Sequence, residues 1–147
     1  MRMPVSLLLL TLIFPSIVFS ATIGNFQQQC HAPNWITGKT EIVEEVNVYQ
    51  RASDPVLGFT RRMPNGHWRT EYNVDRIRYF NIPPDVMVFL FYHECAHAKM
   101  NSESEAVADC VALSDMQTDG YLSDETYKRI EVTYQRFGRT FPSGVCR

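Results

Sequence analysis

The segment "DVMVFLFYHECAHAKM", residues 85–100, constrains the fold more than any other part of this chain. Wound as a helix, its first half is apolar nearly all round, so it cannot lie on a surface and must be enclosed by other elements. A chain of 147 residues has room for one small core. This helix is therefore the axis of a single domain, and the remaining elements have to be laid around it. Pro83-Pro84-Asp85 open it, because proline is tolerated in a first turn and an acidic group complements the positive end of the helix dipole.

The flanking segments read as a small sheet before this helix and two helices after it. "TEIVEEVNVYQ" alternates and is rich in β-branched residues, which predicts a strand over 41–49. Pro64-Asn65-Gly66 lies between two β-forming stretches, and Asn-Gly takes the positive backbone angles of a tight turn, so a hairpin is centred there, its second arm running on towards Phe80. Residues 22–39 are polar and broken by Gly and Pro, which suits a loop or irregular arm. After the central helix, Ser102 with Glu105 three residues on forms a capping-box pattern and predicts a helix over about 103–116. "DETYKRIEVTYQRF" then sets Tyr127, Ile130, Tyr134 and Phe137 on one stripe, with Gly138 as a stop, and predicts a third helix. The fold class is α+β.

The N-terminus has the pattern of a secretory signal: Arg2, an apolar run over 5–19, then the small residues Ser20 and Ala21. Residues 1–20 are read as that signal and 21–147 as one domain, secreted or periplasmic, with no stable membrane insertion once the signal is cut. The formal charge of −2 becomes −3 without Arg2, which excludes electrostatic capture of nucleic acid. Four cysteines, Cys30, Cys95, Cys110 and Cys146, predict two disulfides in an oxidising compartment. Three pairings are possible; Cys95 with Cys110 and Cys30 with Cys146 is the one favoured. A cysteine zinc site would need a C-x-x-C pair, which this chain lacks.

Within the central helix, His93 and His97 are one turn apart, so both imidazoles project from one face and can converge on one ion. Glu94 stands beside the first of them, placed to take a proton from a metal-activated water and pass it to a leaving amine. That is the chemistry of peptide-bond hydrolysis. A third ligand is needed, and carboxylates follow at Glu103, Glu105 and Asp109. Glu105 and Asp109, four apart, share a helix face; Glu105 is favoured as ligand, Asp109 as hydrogen-bond acceptor for a ligand histidine. Glu103, six residues after His97, is the competing ligand. The alternative for all of these residues is packed histidines and a solvated helix start.

"HECAH" followed by "ESEAVADC" resembles the zincin metallopeptidases of the gluzincin type, in particular soluble secreted relatives of the prenyl-protein and heat-shock membrane metalloproteases. In that group an H-E-x-x-H helix precedes a helix bearing E-x-x-A-D, and the likeness spans about residues 70–115. The resemblance implies His93, His97 and Glu105 as Zn2+ ligands, Glu94 as catalytic base and Asp109 as support. It also implies a zincin-like core, a small sheet packed on the active-site helix, with "HWRTEYNV" as the strand edging a cleft for a peptide or protein substrate. The chain departs from the membrane enzymes in its spacer of seven residues between His97 and Glu105 and in lacking their spanning helices. The residue that supports the transition state is left among Tyr121, Tyr127, Arg136 and Arg139. His31 and His67 are expected on the surface, and Trp68, Tyr72 and Phe80 in the core or cleft wall. An exported zinc metallopeptidase is thus the expected function, and a zincin-like binding domain with a non-catalytic metal the alternative.

Overall fold

The computed structural model describes residues 22–23, 26–49, 56–141 and 146. The signal-sequence expectation for residues 1–20 lies outside them. Among the described residues, seven short strands and four helices make a mixed α+β fold. The strands are β1 (Thr22–Ile23), β2 (Phe26–Gln27), β3 (His31–Pro33), β4 (Thr40–Ile42), β5 (Glu44–Val48), β6 (Gly58–Arg62) and β7 (Trp68–Asn73). The helices are α1 (Val74–Tyr79), α2 (Pro84–Met100), α3 (Glu105–Thr118) and α4 (Asp124–Arg136).

The expected central helix is α2, and it is enclosed as its composition requires: Val86, Phe89, Phe91, Tyr92, Cys95 and Ala98 are all buried. Phe89 and Phe91 each remove a large apolar side chain from water, worth roughly 2–3 kcal/mol apiece. α3 returns along the face of α2 that carries the histidines, and α4 packs beside them with Ile130 fully buried and Tyr127, Tyr134 and Phe137 packed against the same core. The stripe read from the sequence is thus the inward face of α4.

The main sheet has the order β5-β7-β6, with β6 antiparallel and β5 parallel to β7. The Asn65-Gly66 hairpin forms, setting Arg62 opposite Trp68 and Thr60 opposite Thr70, with Gly66 at φ 88°. The expected strand over 41–49 is two strands, because the chain changes partner at Val43: β4 pairs with β3, β5 with β7, and Val43 itself turns into the core and donates its N–H to the Cys30 carbonyl at 2.9 Å. The arm expected to be irregular contributes β1, β2 and β3, and its Ala32 is buried.

Three expectations need correction. The strand "HWRTEYNV" is central, since β5 adds to its other side, and β6 takes the edge. The second arm of the hairpin ends at Asn73, whose side-chain oxygen accepts the Arg76 N–H and starts α1. The helix α3 begins two residues later than predicted: Ser104 is its N-cap, and Ser102 belongs to the turn made by left-handed Asn101 at φ 47°.

The disulfides are Cys30–Cys95 and Cys110–Cys146, which overturns the favoured pairing. Cys95 lies two positions after His93, about 200° round the helix, so it faces β3 and not α3. Cys110 on α3 is left to hold the C-terminal segment. Two disulfides fit a protein that works outside the cytoplasm. Among the described residues no helix is long and apolar enough to cross a membrane.

Candidate metal centre

His93 and His97 come together because α2 places them one turn apart on the face that α3 covers. Their Nε2 atoms lie 3.2 Å from each other. Glu105, at the first position of α3, completes the group: its Oε2 is 3.3 Å from His93 Nε2 and its Oε1 3.6 Å from His97 Nε2. One ligand atom from each residue falls within 4.8 Å of the others, so the three can hold a metal ion. Glu103 does not join them; its side chain is 93% exposed and its charge partner is Arg62 at 3.8 Å.

The outer nitrogens of both histidines are occupied. His93 Nδ1 meets Asp109 Oδ1 at 2.7 Å, with both residues buried, and His97 Nδ1 lies 2.7 Å from the Ser102 carbonyl. Each bond orients its ring so that Nε2 faces the centre, which is what a metal-ligating imidazole requires. The Tyr134 hydroxyl on α4 donates to the same Asp109 oxygen, so three helices fix this one ring. Burial and the neighbouring Asp109 charge push the Tyr134 phenol well above its ordinary pKa, which keeps it a donor. Neither the Ser102 carbonyl nor Tyr134 was foreseeable as a site residue: one is backbone, and the other reads as part of an apolar stripe.

Glu94 is 4% exposed and sits beneath β6. Its Oε2 accepts from the Thr60 hydroxyl at 2.8 Å. Burial raises its pKa, opposed by His93 and by the Thr60 bond. The centre opens on a cleft of about 690 Å³. Gly58, Thr60 and Arg62 line one wall, Phe89, Leu90 and Phe137 another, and Glu103, Glu105 and Arg139 the rim.

Of the four candidates for supporting a transition state, Arg139 alone lines this cleft. It donates to Glu105 Oε2 at 2.5 Å, and its guanidinium lies 5.3 Å from the Tyr134 ring centre. Tyr121 packs edge-on against Phe26, Tyr127 against Phe141, and Arg136 donates to the Phe80 carbonyl at 3.1 Å. The other sequence expectations follow their burial: His31 is exposed, His67 is half-exposed against Glu41, Trp68 and Tyr72 are buried, and Phe80 stacks on Phe137.

The charges give the centre a signed pH dependence. Burial lowers the His93 pKa, but the hydrogen bonds to Asp109 and Glu105 and the nearby Glu94 charge outweigh it, and the pKa stands at about 9. The His93 bond, against burial and with help from Arg139, holds Glu105 down at about 2. In the metal-free protein the imidazolium is therefore kept at neutral pH, and its contribution to stability is complete below the unfolded value of about 6.5 and lost as pH rises through about 9. A metal bound there would have to displace that proton. Its apparent affinity is expected to rise about tenfold per pH unit between about pH 7 and about pH 8.5, with close to one proton released per ion. Calorimetry in buffers of different ionisation enthalpy measures that proton, and an affinity flat over this range would contradict the arrangement.

Comparison of the chain with protein-family models, with curated proteins and with solved structures finds no match.

Proposed function

We propose that the chain is an exported zinc metallopeptidase of zincin-like architecture, acting on peptides or proteins outside the cytoplasm. The observation that carries this reading is the convergence of His93, His97 and Glu105 at a cleft, with a buried carboxylate, Glu94, adjacent to the first ligand. Two imidazole nitrogens and one carboxylate oxygen suit zinc, and three protein ligands are the number that leaves a position for water.

His93, His97 and Glu105 would hold the ion, which when bound supplies Lewis acidity and lowers the pKa of a water. The chain's own residues do the rest. Glu94 would serve as the proton acceptor beside the ion and as the donor to a departing amine. Asp109, with Tyr134 behind it, holds His93 in the ligating orientation. Arg139, which helps the His93 bond to hold Glu105 ionised, lines the cleft and can turn its guanidinium to the charge that develops on the carbonyl oxygen. The edge strand β6 beside the cleft can pair with an extended peptide through its backbone.

The test uses the chain from Ala21 onward with fluorescently labelled casein as probe. Cleavage is expected to stop on removal of metal with 1,10-phenanthroline and to return when zinc is added in equimolar amount. Cleavage that persists in the chelator, or none at all by the zinc-loaded protein, would overturn the reading.

A further inference from the structure

Glu94 touches two residues of β6 that the proposed chemistry does not by itself require. Thr60 sits opposite Thr70 across the hairpin, and their hydroxyl oxygens are 2.8 Å apart. The same Thr60 oxygen is 2.8 Å from Glu94 Oε2 and 3.1 Å from the Glu94 carbonyl. A hydroxyl has one proton to give and can accept from others. Thr60 donates its hydrogen bond to the carboxylate, which leaves its oxygen able to accept from Thr70, itself 1% exposed. Two residues earlier on the same face of the strand, Gly58 lies over the other carboxylate oxygen: a Cβ built there would be 2.9 Å from Oε1 and 3.1 Å from Cγ of Glu94. Gly58 does not have a positive φ, so its lack of a side chain answers to this close approach and not to backbone freedom.

We infer that Thr60 and Gly58 form a clamp that positions Glu94, Thr60 holding Oε2 by a hydrogen bond and Gly58 leaving the space that Oε1 occupies. Thr60 is a positioning residue, acting through Glu94. The assignment rests on the metallopeptidase reading for its purpose, since in that reading Glu94 is the base. A buried carboxylate that loses the donor holding it is free to swing, so the clamp decides whether the base is in place when substrate arrives.

The probe is acetohydroxamate, a bidentate metal ligand that donates a hydrogen bond to a carboxylate placed beside the metal, added to the cobalt-substituted protein and followed by the cobalt visible bands. No peptide substrate is needed. Thr60→Val, of the same shape, is expected to keep one cobalt per chain and to weaken acetohydroxamate by about 10- to 100-fold, the range for a lost hydrogen bond to a charged group. Thr60→Ser restores the affinity to within about threefold, a rescue that loss of packing alone does not permit. In a Glu94→Gln background the Thr60→Val change adds nothing, because the two act as one unit. Gly58→Ala provides a second route that leaves the threonine pair intact, and a comparable loss is expected from it should Thr60→Val fail to fold. Affinity unchanged in a folded Thr60→Val protein, or lost equally in Thr60→Ser, overturns the clamp whether or not the protein cleaves peptides. A wild-type protein that takes up cobalt but ignores the hydroxamate overturns the metallopeptidase reading, and the clamp with it.

Discussion

A Glu94→Gln protein is expected to keep its metal and to lose peptide hydrolysis by on the order of a thousandfold, the range for removing a positioned general base. The amide is nearly the same size as the carboxylate and can still accept from the Thr60 hydroxyl, so fold and metal shell are preserved. What it cannot do is take a proton. The separation of the two effects matters more than the size of either: metal content, read by mass spectrometry, stays at the wild-type level while casein cleavage falls. Equal cleavage rates for the two proteins would contradict Glu94 as the base.

The second large effect concerns stability. Cys30–Cys95 closes a loop of 65 residues and ties the N-terminal strands to the back of the site helix. In the chain-entropy account such a loop contributes about 4 kcal/mol, and the bridge of 36 residues from Cys110 to Cys146 only slightly less. Replacing both Cys30 and Cys95 by alanine is expected to lower the melting temperature of the metal-free protein by about 15 °C for a domain of this size. Differential scanning calorimetry in chelator checks this without the added stability of a bound ion. A fall below about 3 °C would mean that the bridge constrains little that packing does not already hold.

The central helix and the convergence of its two histidines were legible because helical geometry is local. His93 and His97 share a face by spacing alone, and the all-round apolar character of the preceding residues predicts burial without knowledge of any partner. Glu105 and Asp109 were legible for the same reason, once a tight return between the helices was assumed. The hairpin centred on Asn65 also contained, in its register, the pairing of Thr60 with Thr70. What could not be read was the meeting of that pair with Glu94, a contact across 34 residues that depends on how the sheet lies on the helix. The same limit explains the disulfide correction. Cys95 and Cys110 are the closest in sequence, but which side of α2 faces β3 is decided by packing. The start of α3 was misplaced because Ser102 and Ser104 offer rival caps; the bond from His97 to the Ser102 carbonyl draws Ser102 into the turn. Similarly, the edge strand was misassigned because β5 adds to β7 from a distant part of the chain, in parallel, leaving no hairpin signal.

The most direct test of the account is the metal content of the chain from Ala21 onward, purified without chelators and compared with its His97→Ala variant by inductively coupled plasma mass spectrometry. About one zinc per wild-type chain is expected and essentially none in the variant, since removing one of three ligands leaves too few to hold the ion. A folded wild-type protein that neither carries zinc nor takes it up when offered would contradict the account and return His93, His97 and Glu105 to the role of an ion-pair cluster at the start of α3.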